Sequence, residues 1–484
     1  MSESCLRLES TYTNLPHIFF SKTSPIPVQK PEVVIFNHAL AKEMGIDLSQ
    51  FSEKQKAEFL AGNLIPDGCT PFAQAYAGHQ FGNFTMLGDG RAIVLGEHIT
   101  SSGKRFDIQY KGSGRTPYSR GGDGRAALGP MLREYLISEA MYGLGIPTTR
   151  SLAVVATGET VQRENELSGA ILTRIAGSHI RVGTFEFASL HEDKTITQAL
   201  LEHLIDRHFP SLKEKENQPL ALLEAVIEQQ ADLITHWMRV GFIHGVMNTD
   251  NMALSGETID YGPCAFMDIF APDTVFSSID HQGRYAYANQ PYIAQWNLAR
   301  FAESLLPLMD DDRENAIEMA EEALNAFEDI YKSKWLSMMR SKLGLVVTRK
   351  EDEKLVTDLL DWMHQNRADY TNTFRNLAKP ELPQEAPYAT ESFEAWHNRW
   401  QNRLGEEEQG WDSSVTLMAS VNPAVIPRNH KVEEALQAGE EGDLKLLHDL
   451  VKALENPYQE GDHLIPYQST PEPTEKVYRT FCGT

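Results

Sequence analysis

The segment HGVMNTDN, residues 244–251, combines residue types that could bind a metal ion and move a proton. Asn251, and Asp260 nine positions later, carry hard oxygen atoms of the kind that bind Mg²⁺ or Mn²⁺. Asp250 is the only carboxylate inside the segment, and a carboxylate there can orient or deprotonate an attacking hydroxyl group. The alternative for all three residues is a structural role in capping turns.

The spacing within this segment is that of a protein-kinase catalytic loop. In kinases His-Arg-Asp is followed after four residues by Asn, and an Asp-Phe-Gly that binds Mg²⁺ comes shortly afterwards. Here His244 and Asn251 keep the spacing and Asp260 opens the sequence DYG, but Val246 stands where the kinase base would be. An isolated DYG is a weak signal, whereas its position after H-G-x5-N favours a kinase-like site. Asp250 is then the candidate replacement for the base.

A lysine and a glutamate upstream fit the same interpretation. Lys111 ends the strand-like run FDIQYK, and Glu134 lies 23 positions later in an amphipathic helical pattern. In kinases a lysine at a strand end offsets the charge of nucleotide phosphates, and a helix glutamate keeps that lysine in place. A lone lysine at a strand end is more often a solvated surface residue. The order of lysine, glutamate, asparagine and aspartate along one chain favours a nucleotide site.

Two stretches rich in glycine and arginine could contact phosphates. In LGDGRA, Gly88 and Gly90 permit close approach of the backbone and Arg91 can reach phosphate oxygens, although a hairpin turn explains the glycines equally well. The second stretch, residues 112–129, places Asp123 and Gly124 among arginines. In an acidic chain such a local density of cations indicates an anion site, and a surface position is the alternative for each arginine. The further candidate arginines are Arg115, Arg120, Arg125, Arg174 and Arg181.

The composition is that of a globular protein. The chain has 484 residues, of which 41% are hydrophobic and 23% charged, so it can bury a core. Its net charge of −24 argues against general binding to nucleic acid or a membrane surface. The four cysteines lie far apart without a zinc-like spacing, and the sequence shows neither a signal peptide nor a long apolar segment. We therefore predict a cytoplasmic protein that binds neither nucleic acid nor a membrane.

The pattern along the chain predicts an α+β fold with two lobes. Short apolar runs such as AIVLGE and FDIQY predict strands, and PMLREYLISEAMYGLGI predicts one amphipathic helix of about four turns. Later segments are mainly helical in pattern, and Gly241 ends the clearest helical stripe. We predict an N-terminal extension at 1–70, a small β-rich lobe with one helix at 71–190, a helical lobe at 191–380, and a C-terminal helical extension and tail at 381–484. A ligand would occupy the cleft between the lobes.

Long strings in the sequence closely resemble one family. The strings are AYAGHQFGNFTMLGDGRA, QYKGSGRTPYSRGGDGRAALGPMLREYLISEAMYGLGIPTTRSLA, HGVMNTDNMALSGETIDYGPCAFMD and SIDHQGRYAYANQP. The weaker NPAVIPRNH extends the likeness into the C-terminal region. On these strings the chain resembles the selenoprotein O family of kinase-like protein AMP transferases, in its bacterial form without selenocysteine.

The resemblance implies an enzyme that transfers AMP from ATP to a Ser, Thr or Tyr hydroxyl of a protein and releases pyrophosphate. It implies that ATP sits inverted in a kinase-like cleft, with the γ-phosphate inward and the α-phosphate open to attack, and that Mg²⁺ or Mn²⁺ assists. Transfer of UMP from UTP is a variant of the same scheme. Carried over by motif, the site comprises Asp250 as base, Asn251 and Asp260 as metal ligands, the Lys111–Glu134 ion pair, and the nucleotide-binding residues Gly88, Gly90, Arg91, Lys111, Asp123, Gly124, Arg174, Arg181 and Asp260.

The cysteines depart from the pattern of this family. Members often carry a redox-active cysteine at the C-terminus that can pair with a cysteine shortly after the metal-binding segment. Cys482 is present here, but Phe276 stands at the position expected for its partner. Cys264 is close in sequence, although a small buried apolar role is more common for such a cysteine.

Two other functions are compatible with the same residues. One is a protein kinase that transfers the γ-phosphate. The other is a catalytically inactive pseudokinase that acts as a nucleotide-binding scaffold or redox sensor, and Asn251 and Asp260 count against it because a scaffold does not need two metal ligands. ATP labelled separately at the α and γ positions distinguishes AMP transfer from phosphate transfer.

Overall fold

A computed structural model of the chain describes residues 6–384 and 386–481. The strands are β1 (Leu8–Glu9), β2 (Phe20–Lys22), β3 (Glu32–Phe36), β4 (Phe72–Gln74), β5 (Ala77–Gln80), β6 (Asn83–Met86), β7 (Ala92–Ile99), β8 (Arg105–Lys111), β9 (Ala126–Ala127), β10 (Arg150–Gln162), β11 (Glu166–Ala176), β12 (Phe242–Ile243) and β13 (Ala265–Phe266). The α-helices are α1 (His38–Met44), α2 (Glu53–Leu60), α3 (Leu128–Gly143), α4 (Val182–Ala188), α5 (Lys194–His208), α6 (Gln218–Val240), α7 (Gln290–Met309), α8 (Arg313–Lys342), α9 (Asp352–Gln365), α10 (Tyr370–Leu377), α11 (Glu391–Leu404), α12 (Gly410–Val421), α13 (Asn429–Glu440) and α14 (Lys445–Leu454). An antiparallel sheet region thus precedes a mainly helical part, and the predicted α+β class is confirmed.

Nine strands form one antiparallel sheet with the main order β2-β4-β7-β8-β11-β10-β3, while β1 pairs with β7 and β9 with β11. Strand β7 is buried along its whole length, so the sheet is covered on both faces there. Lys111 ends β8 opposite Ala92 of β7 and Leu172 of β11. The position of Lys111 is therefore fixed by strands on both sides.

The first 70 residues contribute three strands, β1 to β3, to this sheet as well as the two helices α1 and α2. Their strands pair with β4, β7 and β10, which lie far along the chain. The sheet thus contains strands from before and after residue 70. The domain boundary that we predict there stays a prediction.

Helix α3 packs between the sheet and the C-terminal helices. Its buried residues occupy most of its circumference and include Glu134. On the side facing α13, a Cβ atom at Gly439 would lie 2.9 Å from Leu132, so the two helices are in close contact. Tyr458 donates a hydrogen bond of 2.9 Å to the carbonyl oxygen of Leu144 just beyond the end of α3. Packing on two faces explains why this helix is apolar nearly all the way round.

The helical part is built around α6, α7 and α8. Helix α6 carries the predicted apolar stripe and ends, as predicted, at Gly241, which has the left-handed φ of 72°. Directly afterwards β12 pairs with β13, with Phe242 opposite Phe266. This short ladder brings the segment after β12, HGVMNTDN, next to the DYG before β13. Among the described residues no helix is both long and apolar enough to cross a membrane.

Strands β5 and β6 form a separate two-stranded hairpin, residues 77–86. Its first strand begins buried against α4, where Gly183 contacts the carbonyl oxygen of Ala77. Its second strand is largely exposed. The hairpin therefore reaches from the interior to the protein surface.

The C-terminal tail returns to the segment that follows DYG. The backbone N–H of Thr480 donates to Phe276 O at 2.7 Å, and Ser278 N–H donates to Thr480 O at 2.9 Å. The Thr480 hydroxyl donates to Pro263 O at 2.5 Å. Cys482, the predicted redox residue, lies outside the described residues, and Cys264 is buried.

Candidate active site

A cleft of about 860 Å³ lies between the sheet and the helical part. Its volume is within the range of small-molecule sites and is sufficient for a nucleotide. All the site residues predicted from the sequence line this cleft, namely Gly88, Gly90, Arg91, Lys111, Asp123, Gly124, Glu134, Arg174, Arg181, Asp250, Asn251 and Asp260.

Lys111 is held between two carboxylates. Its Nζ lies 2.6 Å from Oε2 of Glu134 on α3 and 2.7 Å from Oδ1 of Asp260. Lys111 and Glu134 are both buried, because the lysine comes from the middle of the sheet and the glutamate from a helix packed on it. The structure therefore brings together three residues that are separated by up to 149 positions.

Two buried arginines complete a cation cluster around Asp260. Arg174 Nη2 lies 2.7 Å from Asp260 Oδ1, and Arg174 Nε donates to Glu134 Oε1 at 2.9 Å. Arg181 Nη1 lies 2.8 Å from Asp260 Oδ2 and also donates to the carbonyl oxygen of Asp250 at 2.7 Å. Burial alone would raise the pKa of Asp260, but Lys111, Arg174 and Arg181 hold it well below its usual range. Asp260 is therefore an ionised carboxylate.

Asp250 lies in contrasting surroundings. It is 7% exposed, its Oδ1 has no hydrogen-bond partner among the residues that the structure describes, and its Oδ2 accepts one long hydrogen bond, of 3.4 Å, from Gln80 Nε2. Burial raises its pKa to about 6, partly opposed by the Arg181 charge. A carboxylate that is short of hydrogen bonds and has a raised pKa is suited to accepting a proton.

Close packing against the β5–β6 hairpin fixes the position of Asp250. A Cβ atom at Gly78 would lie 2.5 Å from Asp250 Oδ1 and 2.8 Å from its Cβ, so only a glycine leaves room for this carboxylate. On the other side, a Cβ atom at Gly183 of α4 would lie 3.4 Å from the Asp250 Cα atom. Two glycines from different parts of the chain therefore enclose the aspartate.

The 3₁₀ turn Thr249–Asn251 is hydrogen-bonded to the same hairpin. The backbone N–H of His79 donates to the Thr249 hydroxyl at 2.7 Å, and that of Phe81 donates to the Asn248 side-chain oxygen at 3.1 Å. The Thr249 hydroxyl in turn donates to Glu186, which also contacts the ring of His79. These contacts attach the turn that carries Asp250 to the hairpin and to α4.

Reasoning from the sequence did not assign a role to these hairpin residues. The string AYAGHQFGNF contributed only to the family resemblance. The string contains two glycines, one on either side of a histidine and a glutamine, which could have indicated a functional turn. Thr249 and Glu186, which His79 contacts, however, lie more than 100 positions away along the chain. No local pattern indicates such a contact.

Asn251 faces the cleft with an oxygen atom available. Its amide Nδ2 donates to Val246 O at 2.9 Å, which orients the side chain and leaves its Oδ1 as the acceptor. His244 is fully buried, its Nε2 lies 2.9 Å from Ile259 O, and its ring stacks on Trp237. His244 therefore supports the loop, whereas Asn251 can hold a ligand.

The two glycine-rich stretches contact each other over the cleft. A Cβ atom at Gly88 would lie 2.5 Å from the Tyr118 ring, and one at Gly90 would lie 2.9 Å from the Tyr118 carbonyl oxygen. The Thr116 hydroxyl donates to Asp89 O at 2.6 Å. The glycines thus permit close contact between the stretches, and Arg91 lines the cleft beside them.

Asp89 is a further cleft residue that the sequence reasoning did not single out. Its carboxylate is buried, accepts from Gln74 N–H at 3.0 Å and lies 3.9 Å from Arg181 Nη2. Burial raises its pKa to about 6, partly opposed by the Arg181 charge. Its position between Gly88 and Gly90 in the sequence could have indicated that it lies at the site.

Asp123 and Gly124 lie at the outer edge of the cleft. The Asp123 carboxylate pairs with Arg163 at 2.9 Å and accepts from Arg125 N–H at 2.9 Å. Gly124 has a φ of 69° and packs onto the carbonyl group of Gly114, where a side chain would clash. Both residues shape the second loop, and the structure does not bring them into contact with the cation cluster.

The chain is similar over nearly its whole length to known proteins. A family model described as protein adenylyltransferase SelO matches residues 4–455. The protein nucleotidyltransferase YdiU of Nitrosococcus oceani is 56% identical over 477 residues, which cover 98% of this chain and 97% of the relative. The protein of the same name from Brevibacillus brevis is 57% identical over 477 residues, with the same coverage of both chains. The one from Alcanivorax borkumensis is 56% identical over 479 residues, which cover 99% of each chain.

Proposed function

The chain belongs to the SelO family of protein adenylyltransferases, and we propose that its kinase-like cleft binds ATP in the inverted orientation and transfers AMP to a Ser, Thr or Tyr hydroxyl. The nucleotidyltransferase activity itself follows from the family match and from relatives 56–57% identical. The orientation, the acceptor groups and the residue roles are the proposed part.

The observation that carries this proposal is the convergence of Lys111, Arg174 and Arg181 on Asp260, at 2.7 to 2.8 Å. Three buried cations outnumber the two carboxylates to which they donate hydrogen bonds, Glu134 and Asp260, and the positive charge that remains suits phosphates, whereas an adenine ring needs an apolar slot. We therefore place the terminal phosphates at this cluster and the α-phosphate nearer to Asp250.

The chemical step is a substitution at the α-phosphorus. The acceptor hydroxyl gives its proton to the Asp250 carboxylate while its oxygen forms a bond to the α-phosphorus, and the bond to the β-phosphate oxygen breaks. Pyrophosphate leaves with the electron pair of that bond, held by Lys111, Arg174 and Arg181. These cations stabilise the charge that develops on the leaving group because they are already in position.

The donor atoms near the phosphates also fit a divalent cation. Asn251 presents an amide oxygen and Asp260 an ionised carboxylate, and both are hard oxygen ligands of the kind preferred by Mg²⁺ and Mn²⁺. Asn251 and Asp260 would hold the ion, which would neutralise phosphate charge when bound. In the structure the Asp260 oxygens contact the three cations, for which nucleotide phosphates are alternative partners.

Transfer of label from ATP tests the proposal. The enzyme is incubated with a protein acceptor and ATP labelled at either the α or the γ position, and the intact mass of the acceptor is measured. We expect α label on protein and the mass increment of AMP. Label from the γ position alone would identify a kinase and overturn the proposal.

Two further measurements refine the outcome. Label from UTP labelled at its α-phosphorus would extend the same chemistry to UMP. Absence of any transfer by the wild-type enzyme, with nucleotide binding retained, would favour the inactive scaffold instead.

A further inference from the structure

An aromatic and arginine-rich patch lies on the face of the β5–β6 hairpin opposite to the face that contacts Asp250. It comprises residues of β6, of the loop before α7 and of α7, namely Phe84, Met86, Arg284, Tyr292, Trp296 and Arg300. We call it the Trp296 patch. No step of the AMP transfer described above uses it.

Phe84, Arg284, Trp296 and Arg300 are linked by ring and guanidinium contacts, in part through His79. His79 of β5 packs edge-on against Phe84 and against Trp296, both with ring centroids 5.3 Å apart. The guanidinium carbons of Arg284 and Arg300 lie 4.8 and 5.1 Å from the centre of the Trp296 ring. Tyr292, Trp296 and Arg300 are spaced by four residues on α7 and so share one face of the helix.

The Trp296 patch is exposed to an unusual degree for its composition. Phe84 is 43% exposed, Met86 49% and Tyr292 66%. Tryptophan, tyrosine, methionine and arginine are the residue types enriched at protein–protein interfaces, and the strongest binding contributions come from tryptophan, tyrosine and arginine. A surface of this composition fits a protein partner better than it fits solvent.

One of the two arginines in the Trp296 patch has no ion-pair partner among the described residues. Among the described residues Arg284 forms no ion pair, whereas Arg300 pairs with Glu303 at 2.7 Å. The Asp280 carboxylate accepts from the backbone N–H of Arg284, while the guanidinium of Arg284 lies over the rings of Tyr285 and Trp296. Within a chain of net charge −24, a guanidinium that forms no ion pair in the described part of the chain is a specific feature. It indicates a partner that supplies an acidic side chain.

The β5–β6 hairpin connects this surface directly to the base. Successive residues of β5 alternate in direction, so Gly78 and Gln80 face Asp250 while His79 faces Phe84 and Trp296. On the cleft side, Phe81 and Ile279 line the mouth, and Ile279 is 50% exposed. In the described chain β6 pairs only with β5, so its outer edge can accept a further strand.

We propose that the Trp296 patch is the docking surface for the protein that receives AMP. An extended segment of that protein pairs with the outer edge of β6, places an apolar side chain against Phe84 and Tyr292 and a carboxylate at Arg284, and so brings its hydroxyl to Asp250. This inference rests on the proposed function, because it assigns the acceptor of that reaction.

Short synthetic peptides with one hydroxyl residue provide the test. Each carries Leu or Gly and Glu, Gln or Lys at fixed positions beside a central Ser, Thr or Tyr, and transfer of α-labelled AMP is measured over a range of peptide concentrations. We expect the wild-type enzyme to prefer peptides with Leu and Glu. In Tyr292→Ala/Met86→Ser we expect the peptide KM to rise about tenfold with kcat and the KM for ATP unchanged.

Charge reversal separates docking from a merely structural effect. Arg284→Glu should change the preference from Glu-containing to Lys-containing peptides, which loss of stability alone cannot produce. The matched control is Trp411→Ala/Ile465→Ser, two residues 44% and 59% exposed that lie elsewhere on the C-terminal extension, and its kinetics should equal those of the wild type.

The outcomes distinguish the docking surface from the reaction itself. An unchanged peptide KM in Tyr292→Ala/Met86→Ser would overturn the docking surface while leaving AMP transfer intact. A change in the oligomeric state of that variant would assign the patch to self-association and overturn it as well. A wild-type enzyme that transfers no α label to any peptide or protein would instead refute the proposed function.

Discussion

Asp250 and Asp260 line the same cleft ten positions apart, yet their surroundings are opposite. Asp260 is within 2.8 Å of three cations, and they hold its pKa well below the usual range against the effect of burial. The Asp250 carboxylate forms no ion pair within residues 6–384 and 386–481, and burial raises its pKa to about 6 against the charge of Arg181. Arg181 contacts both residues, but it meets the carboxylate of Asp260 and only the backbone carbonyl of Asp250.

This difference separates two chemical tasks that need opposite acidities. A carboxylate that holds cations or a metal ion must stay ionised, whereas one that accepts a proton works best when its pKa lies nearer to the working pH. The fold achieves both by pairing Lys111, Arg174 and Arg181 with the carboxylate of Asp260 and enclosing that of Asp250 between glycines. Substitutions at the two aspartates should therefore differ in kind as well as in size.

The largest effect is expected for Asp260→Asn. Transfer of AMP should fall by about 10³-fold or more, because the group that organises the cations and a metal ion is lost. The free energy of unfolding should fall by about 3–5 kcal/mol, since three buried cations lose their carboxylate. Label transfer and urea unfolding measure the two effects. The exposed Asp311, as Asp311→Asn, is the control, and wild-type activity in Asp260→Asn would exclude our assignment of the site.

A smaller loss with an opposite effect on stability is expected for Asp250→Asn. Its kcat should fall by about 10²–10⁴-fold while ATP binding is retained. The free energy of unfolding at neutral pH should rise by about 1–2 kcal/mol, because a poorly solvated carboxylate becomes a neutral amide of the same shape. Isothermal titration with ATP and urea unfolding check these effects. Loss of ATP binding would show that Asp250 has a structural role.

An intermediate effect is expected for Gly78→Ala. The added methyl group would lie 2.5 Å from Asp250 Oδ1 and must displace the carboxylate or the hairpin. A displacement of this size should lower kcat by about 10²-fold with little change in the KM for ATP, which depends on the cations around Asp260 and not on the Asp250 carboxylate. Gly405→Ala, whose methyl group would meet only ordinary contacts at 3.4 Å, serves as the control. Equal kinetics for both variants would contradict the close packing of the base.

The smallest effect is expected at Glu257, a partly buried carboxylate outside the cleft. It accepts hydrogen bonds from Gly177 N–H at 2.8 Å and the Ser255 hydroxyl at 2.9 Å, and burial raises its pKa to about 7 in spite of them. The unfolded chain ionises this group at about 4.3, so the wild-type fold loses stability as the pH rises from there to about 7. Glu257→Gln should therefore be more stable than the wild type by about 1–3 kcal/mol at pH 8.

The pH dependence of this difference is the decisive measurement. When followed by urea unfolding, the stabilisation by Glu257→Gln should be nearly constant between pH 8 and about 7 and should shrink as the pH falls from about 7 towards about 4.3. A difference that is independent of pH between about 7 and about 5 would show that the carboxyl group is already ionised in the folded protein and that burial does not raise its pKa.

Much of the fold and the order of the site residues could be predicted from the sequence. The strands that contain Lys111 and Arg174, the helix that carries Glu134 and the end of α6 at Gly241 have local patterns, and the structure confirms these elements. The site residues could be predicted because binding phosphates and a metal ion requires particular residue types at particular spacings. In the structure these residues all line one cleft. Their individual roles stay predictions.

What could not be predicted depends on contacts between distant parts of the chain. The role of Gly78 arises only because Asp250, 172 positions later, packs onto it, and the contact of His79 with Glu186 spans 107 positions. Likewise, β1 to β3 are short runs whose assignment depends on pairing with β4, β7 and β10. No local periodicity in a single sequence indicates which distant strands will pair.

The packing of α3 limits how far the C-terminal residues can be removed from this enzyme or exchanged for those of a relative. Because α13 and Tyr458 contact α3 or the residue just beyond it, we expect the helix with Glu134 and the C-terminal helices to unfold as one cooperative unit. Removing residues 381–484 would then expose an apolar face of α3 and loosen the Lys111–Glu134 pair. On this view the C-terminal residues stabilise the active site from outside the cleft, and they could not be exchanged between relatives without a matching α3.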